Sequence, residues 1–140
     1  MHTPAIKTQS SGFTLIEIMI VIVIMGILAA IIVPKFMHRP EQARQVRAQQ
    51  DIMAIQSAMD LYMLDNGFYP STEQGIAALV KPPQGSPQPR NWHRYLAHEP
   101  IDPWQQPYHY RNPGEHGDID IFTYGKTKQP NTEDQINNWS

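Results

Sequence analysis

Residues 13–33 read FTLIEIMIVIVIMGILAAIIV, an apolar run in which Glu17 is the only charge. Its Ile, Val, Leu and Met positions surround a helical wheel rather than forming one stripe, and a helix apolar on every side belongs in lipid or inside a large protein. About 20 such residues span the hydrocarbon core of a bilayer. A single chain of 140 residues is too small to bury the run by itself. The pattern therefore predicts a membrane-compatible N-terminal stem carrying a soluble head. A secretory signal peptide is the competing explanation, with Ala29-Ala30 as a cleavage site. The run exceeds the roughly 7–15 residues of a signal-peptide core, and Pro34-Lys35-Phe36-Met37 follows it instead of an A-x-A-like site. Retention of the stem is the expectation. Lys7, the one formal cation of the short polar leader, places the leader on the cytoplasmic side and the head across the membrane.

Beyond Pro40 the pattern changes to an amphipathic one. Val46, Ile52, Ile55, Met59, Tyr62 and Met63 recur at three- and four-residue spacing, with Glu41, Arg44, Arg47, Asp51 and Asp60 elsewhere on the wheel. Asn66-Gly67 ends the helix. Stem and stripe together predict one long bent helix from about Phe13 to Asp65. Ser71-Thr72-Glu73-Gln74 has the form of a capping box, with Ser71 as N-cap and Gln74 at N3, opening a short helix through Ala77 and Leu79. The segment KPPQGSPQP (81–89) must be a loop. Residues 107–110 and 118–124 alternate well enough for short antiparallel strands, joined through Asn112-Pro113-Gly114. The fold class is α+β: a long N-terminal helix packed on a small antiparallel sheet with long loops.

Composition removes most chemistry. A net charge of -2 argues against a nucleic-acid partner that needs a basic face. The absence of cysteine excludes disulfides, thiolate zinc sites and cysteine nucleophiles. His93, His98, His109 and His116 fall in no H-x-x-x-H or H-E-x-x-H setting, and no nucleophile elbow, P-loop or dinucleotide fingerprint is present. Trp92, Trp104 and Trp139 read as packing or loop anchors. An enzyme is not expected, and no catalytic residue is assigned.

Glu17 is the chemical anomaly. A carboxylate within an apolar helix costs about 2.5–3.5 kcal/mol at mid-membrane, less near an end, and needs a cation that the run does not contain. It either snorkels to the interface or finds a partner outside the run. Gly12-Phe13-Thr14-Leu15-Ile16-Glu17 resembles the leader junction of type IV pilins and pseudopilins. That resemblance implies cleavage by prepilin peptidase between Gly12 and Phe13, N-methylation of Phe13, and retention of the helix. It divides the chain into a leader (1–12), a transmembrane and assembly stem (13–35) and a periplasmic head (36–140). It also implies that the new Phe13 amine pairs with Glu17, within one chain or with a neighbouring subunit. Local unwinding between Gly26 and Pro34 is implied in assembled filaments; an ordinary proline kink fits the same residues.

The head resembles one subgroup nearly end to end. Asp65-Asn66-Gly67-Phe68-Tyr69-Pro70, Thr72-Glu73-Gln74-Gly75, Asp102-Pro103-Trp104, Asn112-Pro113-Gly114-Glu115-His116-Gly117, Thr132-Glu133-Asp134 and Asn138-Trp139 are similar to the major pseudopilins (G subunits) of type II secretion systems. The resemblance implies a structural subunit of the inner membrane that polymerises into a periplasmic pseudopilus and drives export of folded proteins. Its implied partners are copies of itself, prepilin peptidase, minor pseudopilins, and the inner-membrane assembly platform with its ATPase. The alternatives are a type IV pilin for adhesion, motility or DNA uptake, and a membrane-anchored binding module that does not polymerise.

The subgroup also implies calcium in the C-terminal loop, held by three aspartates and main-chain carbonyls. Here Thr127 and Gln135 stand at two of those aspartate positions and only Asp134 remains, while Lys126 and Lys128 add cations. Calcium affinity falls with ligand charge. The expectation is a weakened or absent metal site, with a lysine, Lys128 for preference, paired to Asp134.

Overall fold

The computed structural model describes residues 2–6 and 12–140, apart from the side chains of residues 32–39. Lys7, on which the orientation argument rests, and the Pro34 ring therefore lie outside the described residues. By its contacts the chain divides into two units, Met1–Arg39 and Pro40–Ser140.

Helix α1 (Leu15–Asn66) supplies nearly all of the first unit's described structure and the spine of the second. Its backbone is helical without interruption through Gly26 and Pro34. Among the described residues no helix is long and apolar enough to cross a membrane. The described side chains of the stem end at Ile31, and from Leu15 to that point every one is exposed.

In the second unit α1 packs Ile52, Ile55, Ala58, Met59 and Tyr62 against Ile76, Ala78, Leu79, Tyr108, Ile119 and Ile121, and Ala48 on the same side is also buried. Val46 and Met63, expected on the same stripe, are not in it: Val46 is 57% exposed and Met63 is also open to solvent. The helix has apolar residues on two opposite sides at compatible spacing, and the tertiary core selects the side carrying the two alanines, which admit the closest approach. The helix ends as its sequence predicts. Gly67 takes a left-handed φ of 84° and donates its N–H to the Met63 carbonyl at 2.7 Å.

Three antiparallel strands complete the head in the order β1 (His109–Arg111), β2 (Asp120–Thr123), β3 (Ile136–Asn137). Tyr110 faces Ile121 across the first pair and Phe122 faces Asn137 across the second. Strand β3, two residues long, was not predicted. It is too short for any alternation to register, and Asn138 extends its pairing: the side-chain oxygen accepts the Ile121 N–H at 3.0 Å, and the side-chain nitrogen donates to Gln56 on α1 at 2.7 Å. All four β2 residues are buried, because one face meets α1 and the Phe122 face is covered by the rings of His109, Tyr124 and Trp139. The capping box forms as written, with the Ser71 N–H bonded to Gln74 Oε1 at 3.0 Å and the Gln74 N–H to Ser71 Oγ at 3.1 Å. It opens a turn and not an α-helix. Gly75, at φ 64°, breaks the backbone there, and only a short 3-10 turn, Ile76–Leu79, follows.

Candidate functional site

The start of α1 is built by Thr14-Leu15-Ile16-Glu17. Thr14 is the N-cap: its Oγ1 accepts the Glu17 N–H at 3.3 Å and its carbonyl accepts the first helical bond, from Ile18, at 3.2 Å. The T-x-x-E signature of a capped helix start is legible in the same residues that resemble the cleavage junction. Glu17 lies in the first turn, where the helix dipole favours an anion. Among the described residues its carboxylate enters no ion pair, consistent with a chain in which the Phe13 nitrogen is still a peptide amide. Around it Phe13, Leu15, Ile16, Ile18, Met19 and Ile20 are all exposed. A Cβ placed on Gly26 would meet nothing within 4 Å. The chain itself therefore supplies no packing reason for a helix-weakening glycine at that point.

The second candidate, the C-terminal loop, leaves β2 through a 3-10 turn (Gly125–Thr127) and returns to β3. Gly125, at φ 72°, brings its Cα against the Asp134 backbone so closely that a Cβ would collide with the Asp134 carbonyl. The Thr127 and Thr132 hydroxyls are hydrogen-bonded at 3.0 Å. The expected Lys128–Asp134 pair is not formed: neither residue is in any ion pair among those described. Lys128 instead turns left-handed at φ 57° and uses its backbone N–H on the Gly125 carbonyl. Among the described residues no three His, Cys, Asp or Glu side chains converge on one point. One carboxylate, one hydroxyl already engaged and one amide, with main-chain carbonyls that add no charge and two lysines in the same loop, give too little negative charge to fit calcium.

Two buried carboxylates that the sequence reading passed over organise the head's loops. Asp102, 1% exposed, accepts the N–H groups of Trp104 and Gln106 on one oxygen and the Thr123 hydroxyl on the other. The turn it closes is tied to α1 by the Trp104 indole, which donates to Glu41 at 3.2 Å. Asp120, fully buried, accepts the Glu115 N–H at 2.9 Å, the His116 N–H at 3.3 Å and a His116 ring contact at 3.0 Å. The His116 ring lies flat on Trp139 at 4.0 Å. Gly114 belongs there because a Cβ would sit 2.6 Å from Asp120 Oδ1. Asp102 had a local signal, an Asp directly before Pro103, which marks a side chain turned back onto its own backbone, whereas Asp120 lies within β2 between Ile119 and Ile121 and carries no such signal.

Burial pushes the Asp120 carboxyl up, but the hydrogen bonds from the His116 ring and the Glu115 and His116 N–H groups outweigh it and hold the group below its ordinary 3.8. The unfolded chain therefore binds this proton first. The stabilisation is present above about pH 4 and is lost as pH falls through the lowered value. Urea midpoints measured across the acid range should be level above about pH 5 and drop below pH 4. Asp120→Asn should lower the neutral-pH midpoint and flatten the acid limb. An unchanged acid limb would separate Asp120 from the acid sensitivity.

A capped helix start, an apolar exposed stem and an α+β head on one continuous helix define a type IV pilin-like protein. Residues 7–33 match the prokaryotic N-terminal methylation motif. Residues 35–139 match the family model of type II secretion system protein G. The chain is 51% identical over 138 residues to the type II secretion system core protein G of Pseudomonas aeruginosa, covering 95% of this chain and 97% of that one. It is 48% identical over 136 residues to the core protein G of Dickeya chrysanthemi, with 96% and 89% covered. The major pseudopilin of the type 2 secretion system of enterohaemorrhagic Escherichia coli superposes with a TM-score of 0.68 at 45% identity, over 74% of this chain and 88% of that one. The chain belongs to the type II secretion system protein G family, the major pseudopilins of that machinery.

Proposed function

We propose that prepilin peptidase cuts this chain between Gly12 and Phe13, that Phe13 is N-methylated, and that the mature chain is held in the inner membrane by residues 13–35 with residues 36–140 in the periplasm. It then polymerises with copies of itself into the pseudopilus, whose growth moves folded proteins toward and across the outer membrane. Minor pseudopilins, the inner-membrane assembly platform and its ATPase are the partners this requires. The role is structural, without catalysis.

The observation that carries the proposal is the exposed apolar cylinder of the stem, Leu15 to Ile31. Among the described residues nothing covers it, and lipid or sister stems would remove it from water, at roughly 25 cal/mol per Å² buried. Gly26 supports the second environment, since small residues admit close helix approach within a membrane. The head helix adds a further apolar line, Val46, Met53 (61% exposed) and Leu64 (79% exposed), on the side away from the core. Mass spectrometry of the membrane-extracted protein should show an N-methylated Phe13 terminus, and overexpression should yield filaments. A mature terminus downstream of Ala30 overturns the proposal, because the protein would then lack the element that forces assembly.

A further inference from the structure

The loop between β2 and β3 lacks the charge for calcium, yet it is closed at several points. Gly125 and Asp134 meet backbone to backbone at its base. The Gln135 N–H bonds to the Thr132 carbonyl at 3.2 Å, forming a turn just before β3. The Thr132 hydroxyl lies within hydrogen-bond distance of both the Gln129 carbonyl, at 3.3 Å, and the Thr127 hydroxyl, at 3.0 Å. The Thr127–Thr132 bond joins the outgoing and returning arms of the loop. A divalent ion here would also raise the positive charge beside Lys126 and Lys128, both of which are solvent-exposed.

We propose that this loop is a metal-free closure. The Thr127–Thr132 hydroxyl pair joins its arms, the Gly125–Asp134 contact closes its base, and the head reaches full stability without calcium. Thr127 and Gln135 are then parts of a different lock, in which neutral hydrogen bonds replace a cation and its carboxylates. The proposal goes beyond the filament role and does not depend on it, since its readouts are taken on the unassembled protein.

The test uses the full-length chain in detergent micelles. Thermal unfolding midpoints in excess chelator and in millimolar calcium should coincide for the wild type. A calcium-dependent rise of several degrees overturns the proposal. Thr127→Val, close in shape and lacking the hydroxyl, should increase protease cleavage within 126–135 about two- to tenfold in chelator, the factor corresponding to one net hydrogen bond. Calcium should not reverse that increase. An unchanged cleavage rate overturns the role of the hydroxyl pair, and reversal by calcium overturns metal independence. The double variant Thr127→Asp/Gln135→Asp, which restores the carboxylate count, should acquire a calcium-dependent rise in midpoint. A double variant indifferent to calcium would show that charge count is not what separates this loop from a metal site, and would overturn the proposed lock.

Discussion

Glu17→Leu is expected to leave the protein in the membrane fraction and abolish its filaments. Removing the carboxylate lifts about 2.5–3.5 kcal/mol of insertion cost at most, so membrane retention improves if it changes at all. The helix start survives, because the Thr14 cap binds the backbone N–H of residue 17 and not its side chain. Assembly behaves differently. The proposed cleavage between Gly12 and Phe13 would create a cation, the Phe13 amine, close enough in sequence to meet Glu17 in an apolar setting. Truncating one member of a desolvated charge pair typically costs 2–5 kcal/mol, much of it from leaving the other charge unpaired. At 1.4 kcal/mol per tenfold, each subunit addition weakens by roughly 30-fold or more. Electron microscopy of sheared material, with immunoblots of membrane fractions, checks both halves. Normal filaments from Glu17→Leu would remove the charge pair from the assembly mechanism. Thr14→Val separates capping from pairing: it should weaken the first turn by about 1 kcal/mol and leave the charge pair in place.

Asp102→Ala should be the most destabilising single change in the head. It leaves two N–H groups and the Thr123 hydroxyl without their acceptor at a site that is 1% exposed. Each buried donor left unsatisfied costs about 1–3 kcal/mol, so a loss near 3 kcal/mol is expected even after partial relaxation. For a unit of this size that lowers the melting temperature by roughly 10 °C or more. Asp102→Asn should be milder, since its amide oxygen still serves the Trp104 and Gln106 N–H groups. Thr123 also accepts the Gly125 N–H at 3.2 Å, so the damage should spread to the base of the C-terminal loop. Melting followed by circular dichroism tests the order wild type, Asn, Ala. An alanine variant melting within two or three degrees of wild type, by order of magnitude, would show that solvent reaches this site.

Local signals carried far in this protein. The Asn66-Gly67 stop and the reciprocal Ser71–Gln74 bonds appear where the chain spells them, because each depends on residues within a turn of one another. The β1–β2 pair instead forms at 109–111 and 120–123 rather than at 107–110 and 118–124, since its register joins residues 9 to 13 positions apart. Failures have one cause. Val46 and Ala48 both satisfy helical spacing, and which side of α1 is buried depends on a core that includes Leu79 and Ile121, which no local window includes. The box at Ser71 is genuine, yet Gly75 and the packing of Ile76 and Leu79 convert the following turn to 3-10 form. At the C-terminal loop the expected Lys128–Asp134 pair is absent among the described residues, and the left-handed backbone at Lys128 is a conformation that carboxylate and lysine counting does not register.

The amino-acid order alone determined the apolar run 13–33, its solitary carboxylate and the family, because hydrophobicity and short motifs are properties of consecutive residues. Tertiary structure decided what consecutive residues cannot express: the side of α1 that is covered, the two-residue strand held by Asn138, and the carboxylates of Asp102 and Asp120 as centres of their loops. Those features arise where segments far apart in the chain meet, and their energy comes from desolvating polar groups that only the folded head brings together.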